Sequence, residues 1–412
     1  LRPYADPVNP RWRDVAQAVG LVDADGAVRP TIFAEMSALA ARTGAINLGQ
    51  GFPDVDGPAH VIEAAVAALR SGHNQYPPGD GIPELREAVA SHQSRHYGLD
   101  WDPGTEVLVT TGATEAIAAA VLAFARPGDE VVVIEPYYDS YAAVVALAGA
   151  RLVTVGLVRD GASGAFGLDR EALRAAFGPR TRLVLVNSPH NPTGTVLTVD
   201  DLTELARLAT ASGAVVVTDE VYEHLTFDGV AHVPIATLPG MAERTLTVSS
   251  AGKTLSFTGW KVGWVTGPAD LVTAVRTVKQ FLTYTSGAPL QPAVAVALDD
   301  ADGRVGEYVR ELAASLAARR DLLCVGLTAA GFDVVVPSGT YFVVADGAAF
   351  ADDGARLCRE LPERVGVVAV PVSAFCVAGS PTARALRSWV RFTFVKRVDV
   401  LQEAVSRLAG LR

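Results

Sequence analysis

The sequence predicts an α/β fold: a mostly parallel, seven-stranded sheet in a three-layer large domain, beside a smaller α+β domain. Three observations carry this expectation. Runs such as Val131-Val132-Val133-Ile134 and Leu183-Val184-Leu185-Val186 are apolar at every position, so both faces of those strands must be covered. Stretches with the 3.6-residue period of amphipathic helices separate several of them. Polar and small residues gather directly after four of the strands, where open parallel sheets place their reactive groups.

In chain order, the first 44 residues are mixed and are punctuated by Pro7, Pro10 and Pro30, with a helix expected over 32–42. Gly49 and Gly51 then flank Gln50; without a third glycine this is no dinucleotide fingerprint, only a tight or closely approached backbone. Helices expected at 60–71 and 82–95 enclose an irregular loop, Asn74-Gln75-Tyr76-Pro77-Pro78-Gly79-Asp80-Gly81. Strands follow at 106–110, 130–134, 152–155, 182–186, 214–218, 245–248 and 262–266, with helices at 114–124, 141–148, 170–176 and 199–211. A long helical stretch runs from 270 towards 298, and another covers 305–330. Short strands at 333–336, 341–344, 367–370 and 390–395 and a closing helix at 400–411 complete the smaller domain. Residues 60–295 are expected to form the large domain and 296–412 the small one, which segment 1–59 joins.

Composition narrows the function. A formal charge of -10 and an isoelectric point near 5.2 argue against nucleic acid as a partner. Cys324, Cys358 and Cys376 lack metal-ligand spacing, so reduced thiols, no metal site and a cytoplasmic location are expected. No eighteen-residue apolar run suggests a membrane span. Only four lysines occur, and two of them, Lys253 and Lys261, lie in the single stretch Thr245–Gly267.

That stretch is a strand exit in its own right, beside four others with unusual chemistry. Strand 245–248 empties into Ser249-Ser250-Ala251-Gly252-Lys253, and Lys261 follows eight positions on. Gly252-Lys253-Thr254 is not the end of a phosphate loop, because Thr247 stands where that motif needs glycine. Two cations at a buried strand end suit an anionic ligand that also carries a carbonyl, as the phosphate and aldehyde of pyridoxal 5′-phosphate do. After 106–110 the turn Thr111-Gly112-Ala113-Thr114 enters a helix, whose free N–H groups can cradle phosphate. After 130–134, Glu135-Pro136-Tyr137-Tyr138-Asp139-Ser140-Tyr141 offers rings for packing or for stacking on a planar cofactor. Asn187-Ser188-Pro189-His190-Asn191-Pro192-Thr193-Gly194 supplies amide donors, and its proline-flanked His190 reads as structural. Thr218-Asp219-Glu220-Val221-Tyr222 supplies a carboxylate able to pair with a protonated ring nitrogen.

With these exits in place, the chain resembles the fold-type I pyridoxal-phosphate aminotransferases, in the subgroup of kynurenine, glutamine and methionine aminotransferases. Similarity to the actinobacterial N-succinyldiaminopimelate aminotransferases is closest. The resemblance rests on NLGQGFPD, NQYPPG, VLVTTGATEA, EPYYDSY, NSPHNPTG, TDEVYEHL, SSAGKTLSFTGWKVGW and VRFTFVK, which span residues 46 to 396 in the family's order. It implies that Lys253 forms the Schiff base and shuttles the proton, and that Asp219 pairs with the pyridine nitrogen. Asn191 and Tyr222 would hold the phenolic oxygen, and Tyr138 would stack on the ring. Gly112, Ala113, Thr114, Ser250 and Lys261 would take the phosphate, with Tyr76 reaching over from the other subunit of a homodimer. Arg391 would clamp the substrate α-carboxylate, supported by Asn187, and Phe33, Gly51 and the partner-facing Tyr284 would line the substrate side. Two departures are modest: many relatives have arginine at the position of Lys261, and several have phenylalanine at that of Tyr138.

The implied reaction is ping-pong transfer of an amino group from an L-amino acid to a 2-oxo acid such as 2-oxoglutarate. N-succinyl-L,L-diaminopimelate is the leading donor, although no second cation for its distal carboxylate is identifiable in the sequence. Kynurenine, methionine or aromatic donors, a role in specialised metabolism, and cysteine-conjugate β-lyase chemistry are the alternatives.

Overall fold

The computed structural model describes residues 11–23, 25–161 and 164–411, so Pro7 and Pro10 lie outside the described residues. Its large sheet has the strand order Val107–Thr110, Gly263–Thr266, Thr245–Ser250, Val215–Asp219, Thr181–Asn187, Glu130–Glu135, Arg151–Arg159 and Phe166–Leu168. All seven expected strands are present, and the last and shortest extends the sheet as an eighth. It folds back antiparallel on Arg151–Arg159, pairing Leu157 with Leu168. Three residues were too few to show a strand period in the sequence.

The central strands run parallel, and Gly263–Thr266 pairs antiparallel with both neighbours. Alternate residues of the apolar runs enter two different cores: Val132, Ile134, Val184 and Val216 on one face, Val131, Val133, Leu183 and Val217 on the other. That is the period-2 geometry of a strand buried on both sides. Helices Gly112–Phe124 and Ser140–Ala148 contribute to one layer, and Val199–Ser212 to the opposite one. The last begins with a reciprocal cap, in which Thr198 and Asp201 satisfy each other's backbone N–H groups.

The expected long helix from 270 to 298 is instead two, Ala269–Lys279 and Leu290–Asp299. Between them Tyr284 and Gly287 adopt positive φ, of 62° and 66°, which no helix accommodates. A helix at Gly354–Val365 was not anticipated; it packs on Ile32–Thr43. The strand expected at 367–370 is divided. Val367–Val368 pairs with Ile46–Asn47, whereas Val370–Pro371 joins the antiparallel sheet of Asp333–Val335, Phe342–Asp346 and Trp389–Thr393. Met36 and Leu39 share one core with Leu327, Val343, Val390 and Leu401, which ties the N-terminal segment to the C-terminal elements.

Register then brings the chemistry together. Asn187 lies beside Asp219, Asp219 beside Val248, Ser250 beside Gly263, and Gly263 beside Thr110. Four strand exits therefore open along one end of the sheet.

Candidate active site

A cavity of ≈ 180 Å³ occupies that end. Gly112, Ala113, Thr114, Tyr138, Asn187, Asn191, Asp219, Tyr222, Ser250, Lys253 and Lys261 all line it, so eleven residues singled out from the sequence converge on one space. Lys253 sits in the short helix Ala251–Thr254 directly after its strand. Its Nζ lies 5.8 Å from the ring centre of Tyr222 and 5.6 Å from that of Tyr341. Burial alone would lower the Lys253 ammonium, but Tyr341, Tyr138 and Asp219 outweigh it and hold the group above its usual range.

Asp219 is 6% exposed at the end of its strand. Tyr141 Oη donates to its Oδ2 at 2.5 Å. Burial nevertheless dominates and raises the Asp219 carboxyl above the ordinary value, outweighing Tyr141, the Val221 backbone N–H and the charge of Lys253. A protonated ring nitrogen would add a cation beside it. Asn187 Nδ2 donates to the Asp219 carbonyl at 2.8 Å and its Oδ1 accepts from Asn191 N at 2.7 Å, which locks two exits together.

The opposite wall of the cavity is built for an anion. Helix Gly112–Phe124 points its N-terminus into the space, and no side chain caps it. Lys261 reaches the same point: a Cβ built on Gly112 would lie 3.5 Å from its Nζ. Gly112 has φ of 73°, and a Cβ at Gly263 would come within 2.7 Å of the Gly112 backbone. Side chains at either position would close the cradle. A carboxylate without an ion-pair partner, an amine, an anion cradle and a cavity between them are together what pyridoxal phosphate requires.

Arg391 stands next to this cavity on strand Trp389–Thr393 and is 2% exposed. Its guanidinium donates to Asn191 Oδ1 at 3.0 Å and to the Gly49 carbonyl at 2.8 Å. Phe342 and Phe375 face it at 4.0 and 4.5 Å, and Phe33 at 5.6 Å. Its Nε has no hydrogen-bond partner, and among the described residues it forms no ion pair. Burial pushes it down to about 10, so a carboxylate ligand would restore lost solvation. Gly51 belongs here too, because a Cβ on it would come within 2.2 Å of the Phe342 ring.

Tyr76 and Tyr284 do not line the cavity of their own chain. They meet edge to face at 5.8 Å on the surface, where Tyr76 is 83% exposed. Sequence reasoning missed Tyr141, Tyr341, Phe342 and Phe375. Tyr141 was visible within EPYYDSY, one helical turn after Tyr138, but nothing local marked the other three. His190 lies outside the cavity lining and is buried, with Nδ1 2.8 Å from Thr193 Oγ1, as a structural role requires.

A parallel sheet that gathers a lysine, a strand-end carboxylate, an anion cradle and a buried arginine defines the class of pyridoxal-phosphate aminotransferases. The chain belongs to the aminotransferase class I and II family, which matches residues 43–408, and it is a pyridoxal 5′-phosphate-dependent aminotransferase acting on small molecules. It is 56% identical to a probable N-succinyldiaminopimelate aminotransferase of Mycobacterium tuberculosis, over 92% of this chain and 96% of that protein. A solved structure of N-succinyldiaminopimelate aminotransferase from the same species superposes with a TM-score of 0.90 at 54% identity, covering 98% of this chain and 100% of that one. Methionine aminotransferase of Escherichia coli is 38% identical over 92% of this chain and 96% of its own. Among the described residues, no helix is long and apolar enough to cross a membrane.

Proposed function

We propose that the chain transfers the amino group of N-succinyl-L,L-diaminopimelate to 2-oxoglutarate, in lysine biosynthesis. The observation that carries this reading is the 56% identity over nearly the full length of the mycobacterial relative, against 38% for the methionine enzyme. In this reading pyridoxal phosphate supplies an electron sink for the bond broken at the substrate α-carbon. Lys253 anchors it and then moves a proton at that carbon, while Asp219 keeps the ring nitrogen protonated. Asn191 and Tyr222 fix the phenolic oxygen, Tyr138 covers one ring face, and Gly112, Ala113, Thr114, Ser250 and Lys261 hold the phosphate. Arg391, with Asn187 beside it, aligns the α-carboxylate so that the reacting C–H bond stands across the ring, an orientation effect.

Two copies of the chain are inferred to share their sites. The support is the apolar surface beside the cavity loop, where Tyr76, Phe281, Leu282 and Tyr284 are all exposed. Tyr76 then completes the partner's phosphate site, and Tyr284 its substrate side. A methionine or aromatic donor is the second reading, favoured by the rings of Phe33, Phe342 and Phe375 around Arg391.

The test is a donor screen at equal concentrations, with N-succinyl-L,L-diaminopimelate, methionine, kynurenine and phenylalanine, reading glutamate formed from 2-oxoglutarate. Strong preference for the succinylated donor is expected. Turnover of methionine or an aromatic donor with the succinylated one inert would overturn the reading.

A further inference from the structure

Behind the turn that carries Asp219 and Tyr222 lies a second cavity, of about 630 Å³. His92, His96 and His224 face it. His92 and His96 are four residues apart on helix Pro83–Tyr97, which places both imidazoles on one side of that helix. His224 comes from the strand exit, two residues after Tyr222. One ring nitrogen from each histidine lies within 4.8 Å of the other two, and His92 Nε2 is 2.8 Å from His224 Nε2.

We propose that His92, His96 and His224 form a binding site for a divalent transition-metal ion of the zinc type, separate from the cofactor site. A plain histidine–histidine hydrogen bond would account for two of the three rings. It would not account for the third ring converging on them. Three imidazole donors suit zinc, copper, nickel or cobalt and are poor ligands for calcium or magnesium.

The surroundings favour a cation. Glu223 is buried beside the cluster, with Oε2 4.0 Å from His224 Nε2. Tyr97 and Ser249 hydroxyls donate to its two oxygens at 2.7 and 2.5 Å. Tetrahedral zinc with bonds of 2.0–2.1 Å separates its nitrogens by about 3.3 Å. The His92–His224 pair must therefore open slightly and His96 must close in. His96 is exposed and gives the ion a path inward. The cavity that the three rings line would leave room for water as a fourth ligand. An ion there would tie helix Pro83–Tyr97 to the segment bearing Tyr222, stiffening the cofactor site from behind.

The experiment uses tag-free, cofactor-loaded enzyme dialysed against a chelator. Zn(II) binding is measured by equilibrium dialysis with elemental analysis, and Co(II) serves as an absorbing probe of coordination. One ion per chain is expected, with a rise in thermal midpoint on adding Zn(II). His96→Gln should weaken Zn(II) binding by at least about tenfold and abolish that rise while cofactor loading is retained. Because His96 is exposed, this variant remains informative even if the more buried His224→Gln misfolds. Zn(II) retention well below one ion per chain in the wild type, or unchanged affinity in His96→Gln, would overturn the proposal.

Discussion

Two neighbouring strand exits, 187–194 and 219–224, divide their side chains in the same way. At the first, Asn187 and Asn191 face the cofactor-sized cavity, while His190 turns away and bonds Thr193. At the second, Asp219 and Tyr222 face forward, and Glu223 and His224 point back towards helix Pro83–Tyr97. A run of polar residues at a strand end is thus two populations. Forward charges lack a direct counter-ion: among the described residues neither Asp219 nor the nearby Arg391 forms an ion pair, and Arg391 Nε has no hydrogen-bond partner. Backward His190 and Glu223 are closed by hydroxyl groups. Unmet electrostatic demand marks the groups that await a ligand.

If this division holds, forward substitutions should remove turnover and spare the fold. The largest effect is expected for Lys253→Ala. Proton transfer by a positioned group is alone worth roughly 10²–10⁴-fold, so transamination should fall by at least about 10³-fold with an unchanged circular dichroism spectrum. Turnover near the wild-type rate would remove Lys253 from its assigned role.

Arg391→Ala comes next. Losing one partner of a buried, hydrogen-bonded charge pair should lower kcat/KM for α-amino acids by about 2–5 kcal/mol. Comparison with an amine lacking the α-carboxylate sharpens the test, because its slow reaction should not change. Equal losses for both compounds would mean that Arg391 supports its antiparallel sheet rather than the substrate.

The forward groups were legible in the sequence because each lies within a few residues of a strand end. A strand period followed by small or polar residues locates them, and the family resemblance adds the roles. What could not be read is what distant segments bring. Tyr341, Phe342 and Phe375 reach the site from in and around the four-stranded antiparallel sheet, and His92 meets His224 across 132 positions. No local spacing encodes such a meeting. The same limit applies to the fold. The seven longer strands show their period, whereas Phe166–Leu168 is too short to show one and acquires its state from the strand it pairs with.

The smallest effect tests the backward half of the comparison, through His190. Burial holds its imidazole down to about 4, against an ordinary value of 6.5. The unfolded chain therefore takes up a proton below pH 6.5 that the folded chain refuses until about pH 4. Stability from this group is fully present above pH 6.5 and is lost as the pH falls towards 4. The loss is about 1.4 kcal/mol for each pH unit. His190→Gln removes the titration and keeps a polar side chain of similar reach. Urea midpoints of both proteins at pH 7.5, 6 and 5 should show a shallower acid decline in the variant, with turnover at pH 7.5 reduced less than threefold. Parallel declines would show that His190 is protonated as easily inside the fold as outside it. A large loss of turnover at pH 7.5 would place His190 among the forward groups instead.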